Sequence, residues 1–369
     1  MKLLIVATWF PSPDSPLNGI FIEQQARALS RFHDVTVLAP VYSGDVKQVA
    51  MKPEDRQGLQ VLRALIPTGR AALVRGYAAA VANVTRSMGA DVVHAHVTNP
   101  GGAAAAIAKF VTRRPLVITE HRGPFSACMT TARDRTLMKT ALWLADAVVA
   151  VSTSLRDTMR TYGITRNIDV VPNVVDTDLF RFIERRSPEA RPFRVLFVGR
   201  LNDEQKNLPS LIRSIASLQH KTTYTLTVVG DGKYRPIYQA LSRELGIGSL
   251  CEFIPHLSPA ALNEQFQSHN VFVLPSLGET FGCVLAEAIA AGCPVVATDC
   301  GGPRDIVNQD TGLLVPMNDD AALQASIEAV CNRREGWFGA DLAKYAETKF
   351  GAEAVVAQLD AIYRRIVKG

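Results

Sequence analysis

The sequence predicts an α/β protein built of two Rossmann-like, doubly wound parallel-sheet domains facing across a cleft. Three observations carry this. The chain has 369 residues, and a domain usually takes about 100–200. Short continuous apolar runs alternate with helical patterns, as parallel strands buried on both faces and their crossover helices require. The alternation stops once, at the polar, proline-containing stretch ERRSPEARP (184–192), and restarts beyond it. That stretch reads as a linker, so a first domain is placed at 1–186 and a second at 187–350, with a final helical pattern over about 351–367.

The elements follow in order. KLLIVAT (2–8) is an uninterrupted apolar run of strand length, and GIFIEQQARALSRF (19–32) is the first helix. DVTVLAP (34–40), DVVHAH (91–96) and LVITEH (116–121) are further strands. The Ala-rich GGAAAAIAKF is the helix between the last two. ADAVVAVS (145–152) and DVVPN (169–173) close the first series. FRVLFVGR (193–200), TLTVVG (225–230), CEFIP (251–255), VFVLP (271–275) and PVVAT (294–298) make the second. CVLAEAIAAG is a helix ended by Gly292. In such sheets ligands sit outside the carboxyl ends of the strands, so the residues just after each strand carry the functional argument.

Composition narrows the classes. With 47% hydrophobic and 20% charged residues the chain buries a core and is not a disordered chain. The apolar runs are shorter than the roughly 20 residues of a membrane span, and none reads as a secretory leader; a cytoplasmic protein is expected. None of the six cysteines pairs at CxxC spacing, so small buried thiols are expected rather than zinc or disulfides. The net charge of +5 is uneven: residues 1–187 carry +8 and the remainder −3. Such a split suits an anionic partner for the first half, or simply a basic surface.

The richest string is LPSLGETFGCVLAEAIAAGCPVVAT (274–298). Between strand and helix, the amides near Phe281, Gly282 and Cys283 would open a helix N-terminus, which presents N–H groups and a positive dipole end to an anion. Glu279 in the loop and Glu287 on the helix are acceptor-only groups suited to paired sugar or ribose hydroxyls. An ordinary helix start with surface carboxylates is the plain alternative. In VGRLNDEQKNL (198–208), Arg200 ends a strand and Lys206 precedes a helix, an arrangement suited to a diphosphate or to solvated charges. In the first domain, Gly19 follows the first strand, but no GxGxxG fingerprint does. His121 stands at a strand end in TEHRGPF, placed to hold a hydroxyl or share a proton, or to make a structural hydrogen bond. His94 and His96 are expected to face opposite sides of their strand, with His96 the better candidate for the cleft.

Together these strings resemble the retaining, nucleotide-sugar-dependent glycosyltransferases of the GT-B fold with a Glu-x7-Glu signature, the group 1, family 4 type. GETFGCVLAE carries the signature, VGRLNDEQKNL is similar to its diphosphate grip, and VPNVVDTDLF (171–180), GGPRDIV (301–307) and TGLLVP (311–316) resemble further blocks in the family's order. Two departures stand out: Lys206 lies six residues after Arg200 where five is usual, and Val174 replaces a usual glycine.

The resemblance implies roles. Glu287 would bind the donor's ribose, and Glu279 with the amides of Phe281 to Val284 would hold its sugar. Arg200 and Lys206 would neutralise the diphosphate, Gly19 would let the first loop approach it, and His121 would touch the transferred sugar near the leaving bond. The last helix, 351–369, would pack back on the first domain. The implied reaction transfers a hexose-like unit to an acceptor hydroxyl with retention, the leaving phosphate accepting the acceptor's proton. The acceptor would be a saccharide or a lipid-linked saccharide, in assembly of cell-surface polysaccharide or glycolipid. No cofactor, metal or nucleic acid partner is expected. The competing readings are an epimerase of the same fold, a nicotinamide oxidoreductase and an inactive sugar-nucleotide binder. The segment 68–88, with Arg70, Arg75 and Arg86 among apolar residues, reads either as a helix lying on an anionic membrane or as one packed on its own sheet.

Overall fold

The structure, a computed structural model, describes residues 1–43, 49–67, 70–184, 192–202, 204–220, 223–332 and 339–368. By contacts the chain divides into two units, Met1–Val174 with Ala352–Gly369, and Val175–Gly351. The expected linker lies mostly outside the described residues. The division falls earlier than residue 186 because the segment after Val174 is anchored in the second unit. The Val175 amide donates to the Phe350 carbonyl at 2.9 Å. Buried Phe180 meets Phe266 edge-on at 6.1 Å, and Gln267 Nε2 donates to the Arg181 carbonyl at 2.7 Å.

The first unit holds an eight-stranded sheet: β1 (Lys2–Ala7), β2 (Asp34–Ser43), β3 (Ala50–Arg56), β4 (Leu59–Pro67), β5 (Val92–His96), β6 (Leu116–Glu120), β7 (Ala147–Ala150) and β8 (Ile168–Val170). Its order is β3-β4-β2-β1-β5-β6-β7-β8. Every pair is parallel except β3 with β4. The sequence reading had no strands at 50–67. The hairpin is made by a two-residue turn at Gln57 and Gly58, both at positive φ (53° and 85°), as a primed turn demands. β3 escaped notice because it is polar and mostly exposed.

Helices α1 (Ile20–Ser30), α2 (Arg70–Met88), α3 (Ala103–Thr112), α4 (Ala132–Leu144), α5 (Thr153–Thr161) and, from the chain's end, α12 (Ala352–Val367) complete the unit. α12 sets Val355, Leu359, Ile362 and Tyr363 into the same core as Leu3, Ile5, Ile22 and Val37. It is fastened there by His33 Nε2 on Asp360 at 2.8 Å and by the Arg365–Asp169 ion pair. α2, the segment read as a possible membrane helix, turns its apolar side inward. Tyr77, Val81 and Val84 are buried, and the Tyr77 hydroxyl donates to the Ala7 and Leu38 carbonyls at 2.5 and 3.0 Å. Among the described residues no helix is long and apolar enough to cross a membrane.

The second unit holds a six-stranded parallel sheet: β9 (Phe193–Val198), β10 (Tyr224–Val229), β11 (Cys251–Ile254), β12 (Val271–Leu274), β13 (Val295–Thr298) and β14 (Gly312–Val315). Its order is β11-β10-β9-β12-β13-β14. The helices are α6 (Leu208–Leu218), α7 (Arg235–Glu244), α8 (Pro259–Ser268), α9 (Cys283–Ala290), α10 (Asp320–Asn332) and α11 (Ala340–Phe350). Val195, Phe197, Leu211, Ile215, Val228 and Val273 lie at the centre of its core. Each sheet changes winding direction once, beside its first strand in chain order. In the first unit this switch lies between β1 and β5, and in the second between β9 and β12. A loop pair diverges from the carboxyl ends there and leaves a crevice.

Candidate functional site

At the switch of the second unit, the loops after β9 and β12 are stitched together. The Leu277 amide donates to the Gln205 carbonyl at 2.7 Å, and Gln205 Nε2 donates to the Gly278 carbonyl at 2.6 Å. One residue further along each loop, Lys206 Nζ meets Glu279 Oε1 at 2.5 Å. The Ser276 hydroxyl donates to the same oxygen at 2.7 Å. Both partners of the ion pair are partly buried, which keeps water from screening them fully. Sequence reading assigned Lys206 and Glu279 separately. Gln205 and Ser276 it did not single out, and neither carries a signal beyond its adjacency to a charged neighbour.

Beyond Glu279 the loop is held by a third strand end. The Gly302 amide donates to the Glu279 carbonyl at 2.8 Å. A Cβ on Gly302 would stand 2.5 Å from the Phe281 Cα and carbonyl oxygen. This is the physical reason for glycine in GGPRDIV: two backbones touch. Phe281 is buried and lies edge-on to Phe350 at 5.7 Å. Gly282 takes the left-handed conformation (φ 98°) and starts α9, which has no side-chain cap at that end. The first-turn N–H groups of a helix point outward along its axis, and in α9 that of Leu285 donates to the Gly282 carbonyl at 2.9 Å. The first-turn groups carry the positive end of its dipole.

Glu287 lies on α9, partly buried. Among the described residues its carboxylate has no hydrogen-bond partner, and the desolvation it suffers pushes its pKa up to about 7. Arg200, two residues past β9, is exposed, and its guanidinium has no ion pair among the described residues. Its backbone is fixed by the GDGKYR turn. The Leu201 amide donates to the Asp231 carbonyl, and the Tyr234 amide to the Leu201 carbonyl, both at 2.9 Å. Gly230, at φ 151°, approaches so closely that a Cβ there would lie 1.9 Å from the Gly199 oxygen.

The first unit gathers its residues at its own switch. Gly19 caps α1 in the left-handed region (φ 75°), and a Cβ there would meet the Trp9 carbonyl oxygen at 2.4 Å. The glycine thus seats the loop after β1 on the start of α1. At the end of β6, buried Glu120 accepts four hydrogen bonds. They come from the Thr98 amide and hydroxyl (3.0 and 2.6 Å) and from the His121 and Arg122 amides (2.9 Å each). That carboxylate ties the loop after β5 to the loop after β6 and sets the direction of His121. It was visible in TEHRGPF, but nothing in its neighbours announced this duty.

His121 is buried, beside Phe21 at 4.6 Å. Its Nε2 lies 2.9 Å from His96 Nδ1. His96 stacks on His94 at 4.4 Å, and His94 bonds Tyr363 Oη of α12 and Thr119 Oγ1, each at 2.7 Å. His94 and His96 therefore share one face of β5, contrary to the expectation that they point apart. Residues two apart on a strand lie on the same side, and only odd separations change face. Burial pushes His94 down to about 3. Burial, then the neighbouring His94, pushes His121 to about 3 as well, with hydrogen bonding to Asn173 acting the other way. The cluster is neutral at ordinary pH.

Comparison with known proteins follows the same division. Residues 19–179 match the family Glycosyltransferase Family 4, and residues 192–333 match Glycosyl transferases group 1. A glycogen synthase of Mycobacterium tuberculosis is 29% identical over 360 residues, covering 89% of this chain and 86% of that protein. The putative teichuronic acid biosynthesis glycosyltransferase TuaC of Bacillus subtilis is 28% identical over 365 residues, covering 89% and 88%. Among solved structures, Anabaena HepE in complex with UDP superposes with a TM-score of 0.78 at 19% identity, covering 99% of this chain and 100% of that one. Its complex with UDP-glucose gives 0.74 at 20%, with the same coverage. With both halves matched in order on two parallel-sheet α/β units, the chain belongs to the GT-B glycosyltransferases of the family 4, group 1 type.

Proposed function

We propose that this chain moves a sugar from a nucleoside diphosphate sugar to a hydroxyl of a saccharide or lipid-linked saccharide. The anomeric configuration is retained, no divalent metal takes part, and the product belongs to cell-surface polysaccharide or glycolipid. The observation that carries the reading is the Lys206–Glu279 pair placed beside the uncapped start of α9. Cations and helix amides at one switch point offer a diphosphate the positive potential that a metal otherwise supplies. The relatives that carry teichuronic acid and glycogen synthesis in their names support the product class. The HepE complexes with UDP and UDP-glucose support the donor class.

In this reading Glu287 accepts from the ribose hydroxyls, and Glu279 and the amides of Phe281 to Val284 hold the sugar. Arg200 and Lys206 face the diphosphate. Gly19 is assigned to the diphosphate and His121 to a hydroxyl of the transferred sugar. The glycosidic C–O bond to the diphosphate breaks as positive charge grows on the anomeric carbon. Negative charge grows on the departing phosphate oxygen, where Arg200, Lys206 and the helix start act most strongly, so they stabilise the transition state more than the ground state. The acceptor oxygen forms its bond on the same face, and its proton passes to the departing phosphate.

The test is a panel of UDP-, GDP- and ADP-sugars. One of them is expected to raise the thermal midpoint of the chain and to be cleaved to its nucleoside diphosphate in EDTA, with a retained anomer by NMR when a saccharide acceptor is supplied. Arg200→Ala and Glu279→Ala are expected to lose most of that activity. Wild-type rates in both variants, or failure of every donor to bind, overturns the reading.

A further inference from the structure

Three arginines of the first unit stand over aromatic rings of the loop that follows β1, and they are not alike. Arg56 and Arg63 lie over Phe10, their guanidinium carbons 5.9 and 5.3 Å from the ring centre. Each is also paired with a carboxylate: Arg56 with Glu23 at 3.1 Å and Glu54 at 3.2 Å, Arg63 with Glu54 at 2.6 Å. Arg63 donates in addition to the Pro11 carbonyl at 2.6 Å. Their charges are matched, and they anchor the loop on the β3–β4 hairpin. Arg122, in the loop after β6, lies over Trp9 at 4.7 Å, closer to its ring than either of the others. It has no ion pair among the described residues.

The guanidinium of Arg122 is nonetheless held in place. The residue's amide donates to Glu120 at 2.9 Å, Nη1 donates to the Sγ of buried Cys128 at 3.4 Å, and the indole lies under the plane. Two carboxylates stand in the neighbourhood of Cys128, Glu120 and Asp134. Glu120 is taken up by Thr98 and by the amides of His121 and Arg122. Asp134 caps α4, accepting from the Thr131 amide and hydroxyl at 3.3 and 2.6 Å. Neither pairs with the guanidinium. Trp9 follows β1, and Arg122 follows β6 in a loop that Glu120 ties to the one after β5. Their contact therefore spans the winding switch of the first sheet, where a doubly wound sheet takes its ligand. A guanidinium stacked by its face keeps the N–H donors of its edge, and that fork fits two oxygens of a carboxylate or phosphate. Both side chains are partly exposed, so a ligand can reach them.

We infer that Arg122, held flat on Trp9, receives an oxyanion of the sugar acceptor, so that the acceptor is an acidic saccharide, one carrying a carboxylate or a phosphate. That the ligand is the acceptor rests on the transfer reaction proposed above, in which the preceding residue, His121, meets the transferred sugar. The oxyanion site itself rests on Arg122 and Trp9 alone.

The full chain is titrated with glucose, glucuronate and glucose 6-phosphate at one ionic strength, and binding is read from tryptophan fluorescence and saturation-transfer NMR. At least one of the two anionic sugars is expected to bind tenfold or more tightly than glucose, and the tighter of them tells carboxylate from phosphate. Arg122→Gln is expected to lose that preference while its thermal midpoint stays within a few degrees, since the side chain has no ion pair to lose. Arg122→Lys keeps the charge without the fork and should recover only part of it. A parent chain with no preference for the anionic sugars overturns the inference, as does a preference that survives in Arg122→Gln. With a nucleotide sugar that the parent cleaves, Arg122→Gln should bind and hydrolyse the donor as the parent does. It should raise the KM of the acidic acceptor at least tenfold and leave kcat nearly intact. Lost donor affinity in this variant would assign the guanidinium to the donor and overturn the inference. Should no donor bind the parent, the transfer reading fails and the acceptor assignment with it, while the sugar titrations still decide the oxyanion site.

Discussion

Lys206 Nζ and Glu279 Oε1 stand 2.5 Å apart across 73 residues of sequence, joining the loops that follow two adjacent strands. A carboxylate partly occupies the charge that the proposed reaction needs free, so donor binding must exchange partners: Lys206 turns to phosphate and Glu279 to sugar hydroxyls. Removing the lysine leaves the Glu279 carboxylate, among the described residues, with the Ser276 hydroxyl alone. We expect Lys206→Ala to lower kcat/KM for the donor roughly ten- to hundredfold, the scale of one charge-assisted hydrogen bond of about 1.5–3 kcal/mol. Because the two groups touch, Lys206→Ala with Glu279→Ala should cost less than the sum of the single losses. Steady-state kinetics of the four proteins checks this; strict additivity would mean the pair is not a working unit.

Gly302 is a packing requirement and contributes no charge of its own. A methyl group at this position would meet the Phe281 backbone at 2.5 Å and force apart the loop that starts α9. Gly302→Ala is expected to raise the donor KM at least tenfold while the thermal midpoint shifts by only a few degrees, because the contact supports a loop rather than a core. Donor titration beside a melting curve separates the two effects. A variant with wild-type KM would show that the loop yields without consequence.

The sequence made the buried parallel strands legible because each is a short unbroken apolar run, as in β1, β9 and β12. Gly292 and Gly282 marked the two ends of α9. Elements that owe their existence to partners were less legible. β3 is polar and pairs only at an edge, and α10 and α11 carry amphipathic patterns that no strand punctuates. Among the candidate residues, Arg200 and Glu279 drew attention as charges just beyond strands, and Glu287 as a carboxylate eight positions after Glu279 on the following helix. Gln205, Ser276 and Glu120 did not, since an amide, a hydroxyl and a buried carboxylate take their meaning from backbone groups far away in sequence. His94 and His96 share a face because a strand repeats every two residues, and their stacked rings show it.

Glu287 gives a pH signature. Its pKa is pushed up to about 7 by desolvation, so at pH 6 most molecules carry a neutral carboxyl and at pH 8 most carry the carboxylate. The proposed role accepts hydrogen bonds from ribose hydroxyls, for which the ionised form offers more acceptor capacity. The affinity for a nucleoside diphosphate should therefore rise up to about tenfold between pH 6 and 8, following the ionised fraction. In Glu287→Gln this rise should vanish, leaving a weaker and flatter profile. Isothermal titration at four or five pH values decides it; a wild-type profile unchanged by the substitution would assign the dependence to another group.

The histidine cluster of the first unit predicts acid lability, and the sign is fixed by the direction of the shifts. His94 and His121 are pushed down to about 3 by burial, and His96 is pushed well below the ordinary 6.5. In the unfolded chain they take up protons as the pH falls below about 6.5, while in the fold they stay neutral until much lower. The stability they contribute is therefore complete above pH 6.5 and is lost as pH falls from there toward 3. Each such histidine adds about 1.4 kcal/mol per pH unit to the slope in that window. His94 is the position at which to test this, because its neighbours are Tyr363 of α12 and Thr119 of β6, outside the proposed donor contacts. His94→Gln keeps a side-chain nitrogen for Thr119 and removes the titrating ring. The variant should be less stable than the parent at pH 7, having lost the Tyr363 bond and the stack on His96. Its denaturant-derived stability should also fall less steeply between pH 6.5 and 4, by about one proton's worth. Equal slopes in the two proteins would mean that His94 is already charged in the folded state, and that its burial between Tyr363 and Thr119 has been bought by some other compensation.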